Sequence, residues 1–145
     1  STGQKRLSAY KETLIKHDIE VNDGLVYEGQ SNPESGYDAT IKLIDSGIPF
    51  SAIFSCTDSM AIGAIRALHD KGLKVPEDVS VIGIDGDPTA SFMVPRISTV
   101  ELPILELTRD AITTALTLNK EQQTVQKHFQ YQGSLQVRES TQKLN

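Results

Sequence analysis

The chain has 145 residues, 38% of them hydrophobic and 23% charged, with a formal charge of -5 and a pI near 5.1. That is the composition of one globular domain with a core of its own, which excludes disordered and fibrous classes; the acidic balance also excludes a surface that itself grips a phosphate backbone, because such surfaces need clustered Lys and Arg. No 18-residue apolar run and no apolar leader segment appear, so neither a membrane-spanning helix nor a secretory signal is expected and the cytoplasm is favoured.

Gln4 to His17 reads as a helix with Leu7, Tyr10, Leu14 and Ile15 along one stripe. Ile19 to Tyr27 is expected as a loop with a short strand at Leu25-Val26-Tyr27, followed by a polar turn from Glu28 to Pro33. Asn32-Pro33 then starts a helix, because proline suits a first helical position; Tyr37, Ile41 and Ile44 form its inner stripe and it ends near Gly47. Ala52-Ile53-Phe54-Ser55-Cys56 is short and apolar enough for a buried strand. Cys56 has no partner for an internal disulfide and reads as a small buried hydrophobe in a reducing compartment.

The chain passes at once into a helix from Asp58 to Lys71. At 100° per residue, Met60, Ala61, Ala64, Ile65 and Leu68 gather on one face to pack on a sheet, while Ile62 falls opposite with Arg66 and His69. Gly72 suits a left-handed C-terminal cap, and Pro76-Glu77-Asp78 forms a turn before a second buried run, Val79 to Ile84, which stops at Asp85-Gly86-Asp87-Pro88. Strand, helix and strand make a right-handed βαβ unit. Thr57, Asp58 and Asp85 therefore lie at C-terminal strand ends on one edge of a parallel sheet, the edge where open α/β sheets bind ligands.

Pro95 to Val100 is a further strand, and Pro103 opens a helix to about Leu118. Its apolar residues cover an arc of roughly 180°, where a one-sided surface helix needs only about 100°, so contacts on more than one side are expected. Asn119 to Gln126 is polar, Phe129-Gln130-Tyr131 and Leu135-Gln136-Val137 are strand-like returning segments, and Ser140 to Asn145 reads as a frayed tail.

A carboxylate at a strand end can hold two hydroxyls of a sugar in charge-assisted hydrogen bonds, and Asp85 and Asp58 are the candidates. For Asp58 and Thr57 helix capping is the competing explanation, since a cap contributes about 1 kcal/mol without any ligand. Catalysis is not expected. Ile84-Asp85-Gly86-Asp87 lacks the residue order of a phosphohydrolase nucleophile loop and of a dinucleotide loop, and His17, His69 and His128 lack metal-ligand spacing, so no metal or cofactor is indicated.

Thr57-Asp58-x-Met60-Ala61-x-Gly63-Ala64, then Gly72-Leu73-x-Val75-Pro76-Glu77-Asp78-Val79-Ser80-Val81-Ile82-Gly83-x-Asp85, then Pro95-x-Ile97-Ser98-Thr99-Val100 form an ordered series. Arg6-Leu7-Ser8-Ala9-Tyr10 and Gly36-Tyr37 precede it, and Leu135-x-Val137-Arg138-x-Ser140 follows. The series resembles the effector-binding module of the lactose-repressor (LacI/GalR) family of bacterial transcription regulators.

The resemblance implies a type I periplasmic-binding-protein-like α/β fold, a parallel sheet flanked by helices. Residues 1–100 would be most of the second lobe of a two-lobed module without its first strand, 101–127 a crossover helix packing on the first lobe, and 128–145 the return strands and tail. It also implies an effector site of Asp85, Asp58, Thr57, Arg6 and Ser31, and a homodimer through Ile62 and Arg66. The effector would be a sugar or sugar phosphate. Operator DNA would be held only through an N-terminal helix-turn-helix headpiece outside this chain, with no membrane partner, and the whole would act as a repressor. Ser31 stands where the family often has an aromatic that stacks on a sugar ring, and Thr57 where it often has Asn. The alternatives are a periplasmic sugar-binding protein of a transporter, or a catabolite-control regulator sensing a phosphocarrier protein.

Overall fold

The computed structural model describes residues 2–121 and 128–143. Most of the polar stretch expected at Asn119 to Gln126, the end of the crossover segment, and the last two tail residues lie outside the described residues. Helix α1 (Thr2–Lys16) leads through a 3-10 turn (Asp23–Leu25) to α2 (Pro33–Asp45). Strand β1 (Ala52–Phe54), α3 (Asp58–Asp70) and β2 (Ser80–Asp85) form the expected βαβ unit. A second 3-10 turn (Pro88–Ser91), β3 (Ser98–Glu101), α4 (Ile104–Glu121) and β4 (Ser134–Gln136) complete the elements.

The sheet order is β1-β2-β3-β4. Ile53 faces Val81 and Ile84 faces Val100 in parallel ladders, whereas β4 runs antiparallel to β3 with Val100 opposite Leu135. The parallel sheet expected from sequence is thus a mixed one with an antiparallel edge, which periodicity alone does not reveal.

Helix starts follow their capping residues. Asn32 accepts the Ser35 N–H at 2.8 Å and Thr57 accepts the Met60 N–H at 3.2 Å, each satisfying a donor that the first helical turn leaves free. Gly72 has φ +75°, the left-handed cap anticipated for the end of α3. The core lies between α3 and the sheet: Ala61, Ile65, Leu68, Val79, Val81, Ala90 and Ile97 are buried together. Helices α2 and α3 cross closely because Gly36 and Gly63 lack side chains. A Cβ on Gly63 would come within 1.9 Å of the Pro33 carbonyl oxygen, and one on Gly36 within 2.2 Å of that of Met60.

Further expectations are corrected. Strand β1, expected to be buried, leaves Phe54 40% exposed, and Cys56 after it is half-buried. Leu25 to Tyr27 joins no ladder, since the turn at Asp23–Leu25 occupies its start and no strand lies beside it among the described residues. Phe129 and Tyr131 stack on each other at 6.3 Å outside the sheet, with the Tyr131 hydroxyl donating to Asp110 on α4 at 2.8 Å. Residues 140–143 are no frayed tail. Ser140 is fully buried; its hydroxyl donates to the Val81 carbonyl at 2.6 Å and accepts the Ser98 N–H at 2.8 Å. Its own N–H and carbonyl bond to Arg96 and Val81, wedging the segment between the diverging starts of β2 and β3.

The apolar residues of α4 stay open: Ile104, Leu105, Leu107, Ile112 and Leu116 are all exposed, Leu105 at 81%.

Candidate functional site

The C-terminal ends of β1 and β2 converge with the start of α1. Arg6, one turn into α1, points its guanidinium across the sheet edge, where one nitrogen donates to the Cys56 carbonyl and another lies 3.7 Å from Asp85 Oδ1. The Arg6 side chain is 23% exposed and that of Asp85 42%, so both are held by the protein yet reachable from outside. Removal from water pushes the Asp85 carboxyl up; Arg6 opposes that shift, while the like charges of Asp58 and Asp87 add to it.

Asp85 carries the backbone feature that marks the site. Its φ is +125°, followed by Gly86 at +78°. A non-glycine residue in that region costs on the order of 1–3 kcal/mol and persists only where its surroundings enforce it. They do so here from two sides. Gly86 N–H donates to Thr99 Oγ1 at 3.3 Å and Leu102 N–H to the Asp85 carbonyl at 3.3 Å, while on the other side the Asp87 N–H donates to Asp58 Oδ2 at 2.7 Å.

The remaining expected residues divide. Thr57 caps α3, the competing explanation for it. Asp58, expected to take ligand hydroxyls, is only 1% exposed and lies beneath the 85–87 turn, so its carboxylate faces protein instead of solvent. A capping Asp exposed at a helix start and a buried one have the same sequence signature, and the overlying turn decides between them. Ser31 has φ +56° in the exposed loop before α2, and no hydrogen bond or ion pair joins it to Arg6 or Asp85. Ile62 is half-buried and packs against the core, not on a fully solvent-facing side as its helical angle suggested. Arg66 is exposed and pairs with Asp70 at 2.9 Å, which holds the Asp70 carboxyl below the usual range. Both line an open depression of about 500 Å³ between α2 and α3, together with Tyr37.

Sequence reasoning missed Asp87. Its side chain accepts the Thr89 N–H at 2.7 Å, which lowers its carboxyl pKa and starts the 3-10 turn. The signal was present in Asp87-Pro88-Thr89, a turn-initiating pattern. Among the described residues no group of His, Cys, Asp and Glu could hold a metal ion, and no helix is long and apolar enough to cross a membrane.

The chemistry on offer is a carboxylate acceptor beside a guanidinium donor at the ligand-binding edge of an open sheet, suited to a polyhydroxylated molecule. Residues 1–141 match the family model described as a periplasmic binding protein-like domain. The chain is 41% identical over 111 residues to the HTH-type transcriptional regulator AscG of Escherichia coli K12, covering 77% of this chain and 33% of that protein. Its structure is similar to a LacI-type transcription regulator from Bifidobacterium animalis subsp. lactis, with TM-score 0.92, 28% identity, and coverage of 98% of this chain and 51% of that one. It is also similar to the transcriptional regulator CelR in complex with cellobiose, with TM-score 0.91, 30% identity, and coverage of 95% and 42%. The chain thus spans 33% to 43% of the length of the first curated relatives it matches.

Proposed function

Because the chain belongs to the periplasmic-binding-protein-like domain of LacI-type transcription regulators, we propose that it is the part of such a regulator, a repressor, that senses a sugar or sugar derivative and dimerises. The observation that carries this reading is the Arg6–Asp85 pair, set by strained backbone at the C-terminal edge of the sheet. Asp85 accepts ligand hydroxyls and Arg6 donates to ligand oxygens; a second lobe supplies the opposite wall. Closure on the ligand favours one arrangement of the lobes, and the switch works only to the extent that the ligand prefers that arrangement. Operator DNA is bound by a helix-turn-helix headpiece, in the cytoplasm, because this acidic module is unsuited to the task. The relatives are regulators, which favours this reading over a transport protein and over an enzyme.

The exposed position 31 lacks the aromatic platform, so either the opposite wall supplies ring stacking or the effector is not a simple unmodified sugar. The depression holding Ile62 and Arg66 supports a two-fold interface there. Sedimentation of Ile62→Glu should show dissociation; an unchanged coefficient for a dimeric protein would remove that interface.

Thermal unfolding of the full-length protein against a panel of neutral sugars, including cellobiose and ribose, and sugar phosphates tests the sensing role. Ligand at about 100 times its Kd adds roughly 2.7 kcal/mol, and the shift should vanish in Asp85→Ala. Flat curves across the panel would overturn the sugar reading.

A further inference from the structure

Asp58 is the one buried charged side chain of the described core, and helix capping does not account for it. Thr57 already caps α3 through Met60. A carboxylate taken out of water is costly unless it is bonded in place. Here Oδ2 accepts the Asp87 N–H at 2.7 Å, while Oδ1 is buried with no hydrogen-bond partner. Oδ1 lies against Gly83 of β2, where a Cβ would sit only 2.2 Å away; glycine at that position makes room for the carboxylate. The single bond Asp58 makes to another element is therefore to the turn that bears Asp85.

That turn needs holding. Two successive residues with positive φ lead the chain out of β2, and the bonds from Thr99 and Leu102 tie only its β3 side. On the α3 side the Asp58–Asp87 bond is the polar tie. Losing it frees Asp87, and Asp85 can then relax from φ +125° toward ordinary extended backbone, which swings its carboxylate away from Arg6.

We propose that Asp58 is a positioning residue: it latches the Asp85-Gly86-Asp87 turn to α3 and so fixes the direction of the Asp85 carboxylate. Its importance for effector binding rests on the reading of Asp85 given above, whereas the latch itself can be measured without a ligand.

Amide hydrogen exchange and backbone NMR on the intact chain test it. In Asp58→Ala the Asp87 amide should exchange about tenfold faster or more, and the Asp85 resonances should leave their positive-φ position. The core amides of Val81 and Ile97, which bond to Ser140 and Ala90, should keep their protection. Asp58→Asn retains an oxygen acceptor and should restore both signals, whereas Asp58→Leu, which fills the space without an acceptor, should restore neither. Unchanged Asp87 exchange in Asp58→Ala overturns the proposal. Should Asp58→Ala not fold, Asp58→Asn and the wild-type protein decide. A scalar coupling from the Asp87 amide to the Asp58 carboxyl carbon, with protection kept in Asp58→Asn, supports the latch; absence of either overturns it. Flat melting curves with every sugar would refute the sensing role and leave these signals unmoved, so the two failures are distinguishable.

Discussion

Asp85 combines an unfavourable backbone with a carboxyl that resists ionisation, and both properties bear on stability. Its pKa is raised in the folded chain, so between the unfolded and folded values the native state binds more protons and stability falls as pH rises. At pH 7 the ionised group is therefore a liability to folding. Asp85→Asn should melt higher than the wild type at pH 7 while losing any ligand response, and the gap should narrow as the pH is lowered toward 4. Melting curves over that range check it. At this scale the pattern of the sequence placed Asp85 at the edge, because a strand end is legible from periodicity, whereas Arg6 was expected there only from the family resemblance. The burial of Asp58 was not legible, since it depends on a turn 29 positions away folding over it.

Among elements, the α2–α3 crossing and the C-terminal segment make separable contributions. Gly63→Ala inserts a methyl where backbone already lies 1.9 Å from its position, so the helices must part. A loss of about 2 kcal/mol or more is expected in urea unfolding. Ser140→Ala removes a donor to Val81 and leaves the buried Ser98 N–H without its acceptor, which should cost about 1–3 kcal/mol. The bulk of the four helices was read within two or three residues from apolar stripes, Asn32-Pro33 and Gly72. The segment at Ser140 was misread because short polar residues look like a tail unless the gap between two strands that they fill is known.

For the whole molecule, the contrast between the α3 and α4 faces sets what substitutions do. Leu68 on α3 is fully buried, and Leu68→Ala should cost about 2–5 kcal/mol in chemical denaturation of this chain. Leu105 on α4 is 81% exposed, and Leu105→Gln should change the same measurement by less than about 0.5 kcal/mol. The arc of roughly 180° on α4 led to an expectation of contacts on more than one side, whereas among the described residues that apolar surface is open.

The sequence by itself determined the βαβ unit, the helix starts, the family and the sheet edge at which Asp85 lies. Apolar periodicity, caps and turn residues act over a few neighbours, so they can be read in a line. Tertiary structure alone decided that β4 runs antiparallel, that Ser140 is an interior bridge, and that Asp58 is buried against a backbone amide. Each of these depends on which distant segment covers a polar group, and local pattern carries no record of that.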